Sequence, residues 1–173
     1  MTNPEAPIAP KARVSLWFDR QAEDAARFYS EVVPGSRVTD VSRCGPGGPW
    51  PEGEVLTVSF TVAGIDCVGI NGGPAFALNE AFSFVLECDG QEELDKYWNA
   101  LIADGGAESQ CGWCTDRFGV SWQVLPRNLG ELLSSPAAVQ AMLGMGKLDI
   151  AALKAAALKA AGAAEAAAPE GSE

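Results

Sequence analysis

Apolar residues recur along this chain in two rhythms, and the pair of rhythms is played twice. Val14 to Phe18 is a short β-rich run, and Gln21 to Val33 follows with Ala22, Ala25, Phe28, Tyr29 and Val32 at helical spacing. Pro34-Gly35 stops that helix. Arg37 to Arg43 alternates imperfectly and Val55 to Val62 cleanly, which predicts two strands, and Ala63-Gly64 joins the second to Ile65 to Asn71 as a hairpin. After Gly72-Gly73-Pro74 the pattern starts over. Phe82 to Cys88 reads as a strand, and Gln91 to Ala103 as a helix with Leu94, Tyr97, Trp98 and Leu101 on one face, ended by Asp104-Gly105-Gly106.

The second copy lies on the first at an offset of 69, which pairs Glu23 with Glu92, Asp24 with Glu93, Arg27 with Lys96, Phe28 with Tyr97 and Tyr29 with Trp98. Five matches within seven positions point to an internal duplication, each copy a strand, a helix and further strands.

Near the end of the second copy, Asp116 to Gly119 is a tight turn with Asp first and Gly last. The residues then alternate. Val120, Trp122 and Val124 share one face, and Ser121, Gln123 and Leu125 the other. Such a strand divides an apolar core from a partly polar cavity, with Gln123 the polar group directed into the cavity.

Between the second and third strands lies CGPGGPWPEGE, Cys44 to Glu54, too rich in Gly and Pro for regular structure. Its lone Trp50 is either a lid over a cavity or a pin that holds the loop to the surface. Residues 1–12, with Pro4, Pro7 and Pro10, read as a disordered lead-in, and residues 13–127 as the folded domain, with modules at 13–74 and 80–127. Residues 128–161 read as C-terminal helices and 162–173 as a disordered tail. Ser135 before Pro136 is a helix N-cap, and Lys147 to Ala161 is a helix on which Leu148, Ile150 and Leu153 could dock.

Composition narrows the chemistry. The 173-residue chain has a net charge of −11, which argues against nucleic acid and against an anionic membrane surface, since both require basic side chains. No apolar run approaches the length of a membrane span. A small neutral or apolar ligand is easier to accommodate. The chain has no His, which removes the commonest metal ligand and the commonest general acid or base. Five Cys, an odd number without a secretory segment, favour reduced thiols in a cytoplasmic protein.

A duplicated strand–helix–strand module, FY in the first helix, NGGPAFALNEAFSF at the junction, CGWCTDRFGVSWQVLP near the end and KLDIAAL beyond together resemble the PhnB-like branch of the vicinal oxygen chelate superfamily. That superfamily includes glyoxalase I, extradiol dioxygenases and the bleomycin and fosfomycin resistance proteins, and this branch carries a 3-demethylubiquinone methyltransferase-like label. The resemblance covers about Arg13 to Ala152. It implies an α+β, glyoxalase-like fold: two βαβββ modules whose curled mixed sheets surround a cavity, with helices outside and C-terminal helices added. It also implies a homodimer.

In the metal-dependent members the resemblance places ligands on the first and last strands of each module. The D-P-x-G-x-x-x-E pattern falls on Asp116, Arg117, Phe118, Gly119 and Gln123, so Gln123 stands where the carboxylate would be. The histidine positions fall near Arg13 to Ser15 and Ala81 to Ser83, and the remaining one near Gly69 to Asn71. These segments offer amide and hydroxyl oxygens, too weak alone to displace the hydration of a transition metal. Glu87 and Asp66 are the nearby carboxylates. No metal and no cofactor is therefore expected, and nothing resembles a binding motif for S-adenosylmethionine.

Cys111-Gly-Trp-Cys114 has redox-dithiol spacing but precedes a turn and a strand, whereas such sites use a helix start, so ordinary buried thiols are expected. The candidate ligand pocket consists of Trp17, Asn71, Ser83, Trp113 and Gln123, with Trp50 as its lid. Trp17 and Trp113 can equally be core aromatics, and Asn71 can equally cap a turn. The expected function is metal-free binding of a small, largely apolar molecule, for sequestration or sensing. The alternative is a lyase, isomerase or dioxygenase with an unconventional metal or a carboxylate such as Glu87.

Overall fold

The computed structural model describes residues 11–166. The chain divides between Leu78 and Asn79 into two compact units. The disorder expected for residues 1–12 and 162–173 lies outside the described residues at 1–10 and 167–173, whereas residues 162–166 are helical.

The first unit holds strand β1 (Val14–Phe18), helix α1 (Ala22–Val32) and strands β2 (Arg37–Arg43), β3 (Val55–Val62) and β4 (Ile65–Asn71). They form one sheet in the order β1-β4-β3-β2, with β1 parallel to β4 and the other pairs antiparallel. Helix α1 buries Ala22, Ala25, Ala26 and Tyr29. Three of these are alanines, and the helix sits close to the sheet: a Cβ on Gly69 would lie 3.1 Å from that of Ala22. The sheet face under it carries Leu16, Phe18, Val58, Phe60, Val62 and Cys67, all buried. Ala63 and Gly64 both adopt positive φ (47° and 83°), the paired left-handed residues of a two-residue hairpin, as Ala-Gly between alternating strands foretells.

The second unit repeats the plan with β5 (Ser83–Cys88), α2 (Gln91–Ile102), β6 (Ala107–Glu108), β7 (Trp113–Thr115) and β8 (Ser121–Pro126). Its order, β5-β8-β7-β6, again has the first strand parallel to the last. The helix face expected from the sequence is the buried one: Leu94, Tyr97, Trp98 and Leu101 all point inward. Tyr29 and Trp98, paired by the sequence offset, are each fully buried in their own unit. Identical strand order and matching core positions agree with the duplication.

Helices α3 (Leu129–Leu132), α4 (Pro136–Leu143) and α5 (Ile150–Ala166) complete the second unit. Ser135 caps α4, its Oγ accepting from Ala138 N at 3.2 Å. Helix α5 starts three residues later than the sequence predicts, because Asp149 is its cap: Oδ1 accepts from Ala152 N at 2.9 Å. Gln91 reinforces that start by accepting from Ile150 N at 2.9 Å and donating to Leu148 O at 3.0 Å. Leu148 and Leu153 are fully buried, so this Ala-rich tail is anchored by two leucines and one glutamine.

Candidate functional site

In each sheet the helix covers one face; the other carries Trp17 in the first unit and Ser83, Trp113 and Gln123 in the second, whereas Asn71 lies on the helix-covered face of β4. In the first unit that open face includes Ser15 and Trp17 on β1, Val68 and Ile70 on β4, and Thr57 and Ser59 on β3. Trp17 is half-buried, donates from Nε1 to Gly73 O at 2.8 Å, and meets Phe76 edge-on with ring centroids 5.0 Å apart. Phe76 itself is 69% exposed. Trp50 donates from Nε1 to Asn71 O at 2.7 Å, and the Arg20 guanidinium stacks 3.6 Å above its ring. Glu54 forms an ion pair with the same Arg20.

Two indoles therefore hold the carbonyls of Asn71 and Gly73. Only glycine fits between them, since a Cβ on Gly72 would fall 2.1 Å from Trp17 Cζ2. Trp50 is tied down at both its N–H and its ring. The Asn71 side chain is buried and fully used: Oδ1 accepts from Ala22 N at 2.9 Å, and Nδ2 donates to Val55 O at 3.0 Å. It caps α1 and fastens β3.

In the second unit the open face is a small grid fixed by strand register. Ser83, Ser121 and Thr115 form one row across β5, β8 and β7. Val85, Gln123 and Trp113 form the next, and Glu87 and Leu125 the third. Gln123 reaches diagonally to Ser83, donating from Nε2 to its Oγ at 3.0 Å. Three of the sequence candidates, Ser83, Trp113 and Gln123, thus belong to one patch. Trp17, Asn71 and Trp50 gather at the β4 corner of the other unit.

Asp116 is the residue whose importance the sequence only half revealed. Its turn is as expected, with Gly119 N donating to Asp116 O at 3.0 Å. Its carboxylate, however, is buried. Oδ1 accepts from Phe118 N at 2.9 Å and Val120 N at 3.0 Å, and Oδ2 from Trp122 Nε1 at 2.8 Å. One side chain thereby sets the turn and the buried face of β8, and so the aim of Ser121 and Gln123 on the opposite face.

A divalent ion, as the metal-dependent superfamily members hold, would find no matching donor set. Among the described residues no three of His, Cys, Asp and Glu are grouped to hold one. Gln123 offers only a neutral amide oxygen, Asn71 Oδ1 accepts from Ala22 N, and Glu87 is bonded to Arg127 Nη1 at 2.9 Å.

Thiol chemistry is also restrained. All five cysteines are free. Burial pushes Cys67 up to about 11 and Cys88 and Cys114 to about 12. Cys111 has positive φ (58°) and sits in a loop whose N–H bonds Met145 O, away from any helix start. A separate cleft of about 730 Å³ opens beside the N-termini of α2 and α5, with Arg127, Glu131 and Lys154 in its lining. Arg127 there is committed to Asp89 and Glu87.

Two units, each a four-stranded mixed sheet backed by a helix, define a glyoxalase-like fold of the vicinal oxygen chelate type. The family model described as 3-demethylubiquinone-9 3-methyltransferase matches residues 10–125, and the chain belongs to this PhnB-like family. A PhnB protein from Bacillus cereus, described by the same methyltransferase name, is 31% identical over 67% of this chain and 99% of its own, with TM-score 0.61. Protein PA1353 from Pseudomonas aeruginosa is 20% identical over 68% of this chain and 98% of its own, with TM-score 0.56. The fosfomycin resistance protein FosX from Listeria monocytogenes shares the fold at 14% identity, 74% and 99% coverage and TM-score 0.51. No curated protein matches the chain.

The family's name implies S-adenosylmethionine. The β1–α1 turn, Asp19-Arg20-Gln21, has no glycine to let a nucleotide cofactor approach, and the Ala22 N–H at the start of α1 is already bonded to Asn71. This turn does not fit that cofactor.

Proposed function

We propose that the protein is a metal-free binding module for a small, largely apolar molecule, which it sequesters or senses. The observation that carries this reading is the second-unit face on which Gln123, tethered to Ser83, lies between Val85 and Trp113 in strand register. An apolar surface with one oriented amide is the usual make-up of a small-molecule site. The same position would have to supply a strong ligand for metal chemistry, and a neutral amide oxygen is a weak one. A carboxylate-based isomerase is less well supported, because Glu87 is exposed and paired with Arg127.

The module acts in the cytoplasm, in keeping with its five free thiols, and pairs with a second copy. Exposed Ile65, Phe76, Phe82, Leu143 and Leu158 offer apolar surface for that pairing. Among the described residues no helix is long and apolar enough to cross a membrane. Light scattering at micromolar concentration tests the pairing, and a monomer would refute it. A thermal-shift screen of neutral apolar metabolites, run with and without EDTA, tests the function. Stabilisation that survives the chelator supports it, and stabilisation only by metal-loaded samples opposes it.

A further inference from the structure

Ser121 Oγ is the one described buried side-chain atom without a hydrogen-bond partner, in a residue only 2% exposed. Leaving a hydroxyl buried and unpaired is costly, and native proteins do so where a ligand, water or strain accounts for it. Ser121 is the middle of the Ser83–Ser121–Thr115 row, and its neighbours on both sides are half-buried rather than closed off. One position along β8, Gln123 spends its Nε2 on Ser83, while its Oε1 makes no hydrogen bond among the described residues. The patch therefore holds an unpaired donor and an unpaired acceptor side by side. No unpaired charge accompanies them, since Glu87 in the third row is paired with Arg127.

We propose that this row receives the polar head of a neutral ligand. An oxygen of the head accepts from Ser121 Oγ–H, and an adjacent N–H or O–H donates to Gln123 Oε1. A primary carboxamide is the simplest group with that pattern, and Trp113 and Val85 flank the apolar body attached to it. An ionised head would lose its hydration here without gaining a counter-charge. This inference rests on the small-molecule reading above and adds the chemical class of the ligand.

The test is calorimetry on the full chain with the carboxamide, the carboxylate and the amidine of naphthalene, using wild type, S121A and Q123L. The carboxamide is expected to bind about tenfold tighter than either charged analogue. S121A should weaken it by about tenfold, leave any charged-analogue binding unchanged, and leave the thermal midpoint undiminished. Three results overturn the inference: equal or tighter binding of a charged analogue, unchanged carboxamide affinity in S121A, or a lower midpoint in S121A, which would mean that a structural water satisfies the hydroxyl. Binding of only a charged analogue sinks the ligand class and leaves small-molecule binding standing. Failure of all three compounds sinks the ligand class as well, and the binding reading falls only if the wider metabolite screen is also silent.

Discussion

Replacing Asp116 with alanine removes a carboxylate that accepts three hydrogen bonds within 3.0 Å and is 2% exposed. Bonds to a charged acceptor are worth about 1.5–3 kcal/mol each, but three on one side chain do not add independently. Phe118 N–H belongs to a half-buried turn residue and can rehydrate. The N–H groups of Val120 and of the fully buried Trp122 indole cannot, and they dominate the cost. D116A should lose roughly 3–5 kcal/mol, a large part of the about 5–15 kcal/mol that holds an ordinary domain together. D116N keeps an acceptor for the turn but sets an NH2 group against the Trp122 N–H, and should lose roughly 1.5–3 kcal/mol. Urea unfolding followed by tryptophan fluorescence measures both. Combining D116N with W122F, which removes the opposed donor, should cost less than the two changes added. A D116A cost below about 1 kcal/mol would refute the claim that this carboxylate holds β8.

Two other consequences are open to measurement. N71A strips the α1 cap and leaves Ala22 N–H and Val55 C=O unpaired, so it should cost roughly 2–4 kcal/mol in urea unfolding, and an unchanged midpoint would contradict the bonding assigned to Asn71. Burial raises Cys67 to about 11 and Cys88 and Cys114 to about 12 from an ordinary 9.0, so the unfolded chain loses these protons first. Stability should be complete below that ordinary value and fall as pH climbs through the raised ones; a urea midpoint flat between roughly pH 8 and 10.5 would count against it.

The elements legible in the sequence were those whose periodicity ran for several residues. Strands β1 to β4 occupy the predicted stretches, and α2 buries the four predicted side chains. Strands β6 and β7, two and three residues long, are too short to show alternation, and only pairing defines them, β7 with β8 and β6 with β7. Helix α5 runs to Ala166, past the Lys147 to Ala161 stretch that the sequence predicts, because alanine continues a helix without any packing signal. Parity along β8 placed Gln123 opposite Trp122, but the diagonal bond to Ser83 needs the parallel register of β5, which local sequence does not encode. Trp50 illustrates a second limit. A lone aromatic in a Gly-Pro loop suggested either lid or pin, and the bonds to Asn71 and Arg20 are tertiary facts. Asp116 was visible as a turn former, yet its grip on Trp122 depends on burial that the pattern D-x-x-G leaves open.

The central claim is that this member of the family binds a small molecule without a metal. Elemental analysis of the purified chain, carried out on protein shown by calorimetry to bind its ligand, addresses it most directly. The account predicts stoichiometric ligand binding with no stoichiometric Fe, Mn, Ni or Zn, undiminished by EDTA. One equivalent of a transition metal per chain, lost together with ligand binding on chelation, would contradict it.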